Sequence, residues 1–140
     1  MTWYLAAFLS AVFAALTAIL AKIGIKNVDS NLATAIRTSI ILIFTWAIVF
    51  FQGTQNSISS ISKNSFLFLI LSGVATGLSW LFYFYALKVG SASKVVPIDK
   101  LSLILTIILA GIILGEKISI QVVLGSILMT AGAIIIAFAK

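Results

Sequence analysis

Residues 95–114 read VVPIDKLSLILTIILAGIIL, an apolar run interrupted near its start by Pro97, Asp99 and Lys100. As a helix rising about 1.5 Å per residue, this run covers about 30 Å, the thickness of a bilayer's hydrocarbon. Four further runs of similar character lie at residues 3–21, 32–51, 66–87 and 118–139. The sequence therefore predicts an all-α integral membrane protein, one five-helix domain over residues 1–140.

Composition agrees. Hydrophobic residues make up 62% of the chain and charged residues 9%, against about a quarter charged in soluble domains. With no Cys and no His, thiol, zinc and imidazole chemistry are removed, and neither a metal nor a cofactor is expected. One carboxylate without those partners assembles no nucleophile and base, so the chain is not expected to be an enzyme. The net charge of +6 comes from bases scattered singly between apolar blocks, a pattern that fits membrane topology and no nucleic-acid partner.

The connections are polar or rich in small residues: KIGIKNVDSN, QGTQNSISSISKNS, KVGSAS and a tight GEK turn. The first apolar run has no basic stretch before it and is followed by Lys22 instead of a small-residue cleavage site, so it is expected to be retained. Lys22, Lys26, Lys88, Lys94 and Lys140 gather at one end of the helices, with Lys63 and Lys117 at the other. Positive charge stays cytoplasmic, which predicts an outside N-terminus and a cytoplasmic C-terminus, in a prokaryotic plasma or inner membrane. Trp3 and Tyr4 fit interfacial anchors.

Charge inside a span costs on the order of 2.5–3.5 kcal/mol and calls for a partner or a wet cavity. Arg37, Asp99 and Lys100 are the residues in question. Arg37 and Asp99 lie at matched depths in the second and fourth runs, so a bidentate ion pair between them is expected. Asp99, Ser102 and Thr106 follow at helical spacing and draw a polar stripe. In the third run Ser72, Thr76, Ser79 with Trp80, and Tyr83 form a second face, either pocket lining or hydroxyls satisfied on their own helix. Lys100 either belongs to the site or snorkels to the headgroups. Ser93 is the expected N-cap of the fourth helix, which puts Pro97 in its first turn; an earlier start would leave a free carbonyl near Ser93. Glu116 reads as a capping or interfacial charge. In the fifth run Gly125 and Gly132 stand seven apart, a surface for close helix packing within or between chains.

Residues 80–139 resemble the EamA domain of the drug/metabolite transporter superfamily. The resemblance rests on the YAL helix end at Tyr85–Leu87, the small-residue turn after it, the LGE close at Leu114–Glu116, Ile118 and Gln121, and the glycine-bearing last helix. It implies a transporter of small metabolites or drug-like compounds, working by alternating access. Most members carry two such units in inverted topology, so this chain looks like a half-sized transporter that needs a second half. That half is a second copy, antiparallel or not, or a different chain inserted the opposite way. A more distant resemblance to the small multidrug resistance transporters implies that Gly125 and Gly132 form a dimer interface. Those exporters use a carboxylate in their first helix where this chain has Ala14, so Asp99 is put forward as the ionisable replacement. The expected substrate or coupling residues are Arg37, Asp99, Lys100, Ser102, Thr106, Thr76, Trp80 and Tyr83. Two alternatives stand beside export: a lipid or lipid-linked sugar flippase subunit, and a non-transporting structural subunit. The sign of the substrate's charge is open.

Overall fold

The computed structural model describes residues 2–139. It is all-helical in its regular structure, with five helical spans long and apolar enough to cross a membrane among the described residues. Lys140, counted among the bases that set the predicted orientation, lies outside the described residues.

The first span is α1, Trp3–Gly24, and the second is α2, Ser30–Gln52. Asp29 caps α2: its carboxylate accepts from the backbone N–H groups of Asn31 (2.9 Å) and Leu32 (3.1 Å), two of the donors a helix start leaves unmet. Gly53 ends α2 at φ 69°, a left-handed conformation that favours glycine. A 3-10 turn at Thr54–Ser60 packs against α2 and leads to α3, Lys63–Val89. The Ser62 hydroxyl accepts from Ser65 N–H at 3.1 Å at the start of α3.

The fourth span is two helices, α4 (Ala92–Asp99) and α5 (Ser102–Leu109), followed by a π-type turn at Ala110–Leu114. Its N-cap is Ser91 and not the expected Ser93, because the chain turns helical before the apolar run begins. Pro97 is therefore the sixth residue of α4, beyond the first turn. It has no N–H for the Ser93 carbonyl one turn back. The backbone tightens just after it: Leu101 N–H donates to Ile98 C=O, Leu103 to Lys100 and Ile104 to Leu101, all three residues back. Gly115, at φ 67°, closes the span with its N–H on the Ala110 carbonyl. The last span is α6, Ile120–Phe138, capped by Ser119, whose hydroxyl accepts from Val122 N–H.

Contacts divide the chain into two units. In the unit Ala21–Lys88, Ile25, Phe84 and Leu87 are buried, with Ser30 and Thr34. The Lys22 ammonium donates to the Leu87 carbonyl, placing a cation on one of the last acceptors of α3. In the other unit, the residues up to Leu20 with those from Val89 onward, α4 packs along α6 and α5 also touches it. Ala18, Ser126 and Ala133 are buried among its described residues, and the Lys94 ammonium donates to the Ala139 carbonyl at the end of α6. Most large apolar side chains of both units face outward, such as Phe51 at 95% and Phe138 at 84% exposure. Hydrocarbon solvates such side chains, so they need no protein cover.

Candidate functional site

Arg37 stands seven residues beyond the start of α2, about 10 Å along a helix. Thr34 lies three residues before it and Thr38 directly after it, and each hydroxyl donates to the carbonyl four residues back, Ser30 and Thr34, at 2.8 Å. The guanidinium lies over two rings of α3. Its carbon is 4.5 Å from the Trp80 ring centroid and 5.1 Å from that of Phe84. Tyr83 meets Phe84 edge to face, with centroids 6.0 Å apart. Aromatic faces attract a cation electrostatically and leave the guanidinium's in-plane N–H groups available.

The inward side of α3 is set by Trp80, Tyr83, Phe84 and Leu87, each buried or half-buried, while Ser72, Thr76 and Ser79 are exposed. Thr76 precedes Trp80 by four residues and shares its side of α3, but it lies a turn farther from the buried end of the helix and is exposed. The Thr76 hydroxyl donates to the Ser72 carbonyl at 2.9 Å.

Asp99 closes α4 at the break in the fourth span. The Lys100 ammonium is 3.4 Å from its Oδ2, with the two side chains 37% and 56% exposed for Asp99 and Lys100 respectively. The expected Arg37–Asp99 pair would join the two units; within its own unit each group has another partner. Lys100 pairs with the adjacent carboxylate at the break. Ser102 and Thr106 are exposed, and the Thr106 hydroxyl donates to the Ser102 carbonyl at 2.8 Å, so Thr106 is satisfied on its own backbone.

On α6, Ser126 and Ala133 turn inward. A Cβ added at Gly125 or at Gly132 would meet nothing within 4 Å. Both glycines stand beside the packed seam with open space before them. Among the described residues no group of His, Cys, Asp or Glu could hold a metal ion.

Sequence reasoning missed Phe84, and it offered a hinge near Ser93 only as the alternative to a Pro97 in the first turn. Phe84 follows Trp80 by four residues, the spacing that stacks two side chains on one helix face, and this was the available signal. The break was foreshadowed by Pro97, once the helix is seen to start at Ala92.

These features define a multi-pass α-helical membrane protein with charged residues inside its spans and one interrupted span. The chain belongs to the EamA-like transporter family, whose pattern matches residues 1–138. It is 47% identical over 136 residues to an uncharacterized transporter in the cobO 3′ region of a Sinorhizobium species, an alignment covering 97% of this chain and 96% of that one. No solved structure matches it. It is a membrane transporter, the class shared by its family and its relative.

Proposed function

We propose that the protein exports small metabolites or drug-like compounds by alternating access, as a dimer of two five-helix chains. The carrying observation is the interrupted fourth span, with an ion pair, Asp99 and Lys100, at the break between α4 and α5. Broken helices in transporters leave polar backbone groups at membrane depth, where they serve substrates and coupling ions. Asp99 is the coupling carboxylate, since the first span contains no acid. Arg37, with Trp80 and Tyr83, is a substrate contact; Lys100, Ser102, Thr106 and Thr76 supply further polar steps along the path.

The dimer reading rests on the five spans of the chain, half of a ten-span transporter, and on the open space before Gly125 and Gly132. The bias of bases toward one end of the helices favours a cytoplasmic C-terminus in a prokaryotic plasma or inner membrane. A reporter on the C-terminus active on one side only would assign a parallel dimer or a heterodimer with an oppositely oriented half. Activity on both sides would assign an antiparallel homodimer.

Flux in vesicles tests the function. Purified protein is reconstituted, a pH gradient is imposed, and uptake is profiled across amino acids, organic cations, organic acids and lipid precursors. Gradient-driven flux of a soluble solute that disappears in Asp99→Asn supports the reading. Movement of lipid-linked substrates alone would assign a flippase, and no flux from a folded, assembled protein would leave the structural-subunit reading in its place.

A further inference from the structure

Arg37 is a permanent cation within a membrane span, and the structure gives it aromatic faces for neighbours. The guanidinium carbon lies over the Trp80 and Phe84 rings, 4.5 and 5.1 Å from their centroids. Among the described residues of its own unit, the Tyr83 phenol lies within electrostatic reach of it, and no carboxylate pairs with it. The one acid of that unit, Asp29, is committed elsewhere, to the N–H groups of Asn31 and Leu32 at the start of α2. The neighbouring hydroxyls of Thr34 and Thr38 donate to their own helix. In the other unit Asp99 has Lys100 at 3.4 Å.

A guanidinium held over two aromatic rings keeps its position by attraction to their faces. Its planar fork fits two oxygens side by side, the geometry of a carboxylate or a phosphate. The two rings also restrict the side chain before any ligand arrives, so less freedom is lost on binding. A cationic substrate would meet uncompensated like charge at this point, whereas an anionic one would supply the missing partner.

We propose that Arg37, held by Trp80 and Phe84, is an oxyanion subsite that binds a carboxylate or phosphate group. As a statement about cargo this rests on the transport reading above; as a statement about binding it does not.

Trp80 provides the probe. With Trp3→Phe and Trp46→Phe it becomes the sole tryptophan of the chain, and its emission reports on the cation at its face. The protein is purified in a phosphate-free maltoside detergent and titrated with sodium acetate, inorganic phosphate, sodium chloride as an ionic-strength control, and phosphatidylglycerol in mixed micelles. A saturable change with acetate or phosphate beyond that with chloride is expected, weakened on the order of tenfold or more in Arg37→Gln and less in Arg37→Lys. Response to phosphatidylglycerol alone keeps the oxyanion chemistry and assigns it to a lipid headgroup. Absence of a saturable response to all three oxyanion probes in wild type overturns the proposal. So does a response that Arg37→Gln leaves intact in a monodisperse, helical preparation, or one that emerges only in Asp99→Asn, which would mean that Asp99 occupies the fork. Failure of transport is separable: binding without flux leaves the subsite standing and removes the cargo reading, and flux without binding does the reverse.

Discussion

The guanidinium carbon of Arg37 lies 4.5 Å from the centroid of the Trp80 ring, bringing a charge on α2 against an aromatic face on α3. Cation–π contacts are worth about 0.5–1 kcal/mol when exposed and about 2 kcal/mol when desolvated. Arg37 and Trp80 are half-buried, so a double-mutant cycle of Arg37→Met and Trp80→Leu should give a coupling energy of about 1 kcal/mol. Unfolding in mixed micelles measures it. Additive losses would show that the ring merely fills space beside the charge.

Pro97 lies in the interior of α4 and deprives the Ser93 carbonyl of its donor. A proline in a helix interior costs about 3 kcal/mol, and here the break at Lys100–Leu101 relieves part of that strain, so Pro97→Ala should stabilise the protein by about 1 kcal/mol. The three-back hydrogen bonds of Leu101, Leu103 and Ile104 should revert toward the four-back pattern. Hydrogen exchange at these amides should slow and flux should fall, because the break is the feature the transport reading depends on. Unchanged exchange there would mean that the break is imposed by packing against α6.

Asp29 gives a pH dependence with a definite sign. Hydrogen bonds from the N–H groups of Leu32 and Asn31, with the nearby Lys88 charge in support, hold its carboxyl below the usual carboxylate range. The folded-state value is depressed, so the stabilisation is present in full above the unfolded-state value of about 3.9 and is lost as pH falls through the lower folded-state value. Wild type and Asp29→Ala should therefore differ in melting temperature at pH 6 and converge as pH drops below 4. Asp29→Asn keeps an acceptor at the cap and should lose less at pH 6. A gap between wild type and Asp29→Ala that stays constant with pH would show that the charge does not contribute.

Much of the fold was legible because hydrocarbon imposes one requirement, long apolar helices, and composition reveals it. The ends of the spans were less so. Hydropathy marks where the chain is apolar, whereas hydrogen bonding decides where it is helical, and the two differ at caps. Ser30 and Asn31 start α2, Lys63 to Ser65 start α3, and Ala92 to Lys94 start α4, all ahead of the apolar runs. Such a shift put Pro97 in a first turn by sequence and in a helix interior by structure.

The site divides along a similar line. Counting residues fixes how far along its helix Arg37 stands, and Trp80 and Tyr83 were picked out by their chemistry. Counting puts Thr76, Trp80 and Phe84 one turn apart along one side of α3. It does not fix how far along that side the packing reaches: Trp80 and Phe84 lie against Arg37, and Thr76 is exposed.

Gly125 and Gly132 offer a test that separates fold from assembly. A Cβ at either position would meet nothing within 4 Å in the isolated chain, while the inward side of α6 is formed by Ser126 and Ala133. Helices in lipid gain no hydrophobic drive toward each other and associate where small residues permit close approach. If the glycines mark the dimer surface, Gly132→Leu should leave helicity and melting temperature of the monomer within error and shift the species in detergent from dimer to monomer, by sedimentation or crosslinking. Gly125→Leu should do the same, and flux should fall with dimer content in both. As a control, Ala133→Leu should behave the other way: its side is packed within the chain, and overpacking typically costs about 1–3 kcal/mol, so stability should fall before assembly does. Dimers that persist in both glycine variants would move the interface to another face of the chain.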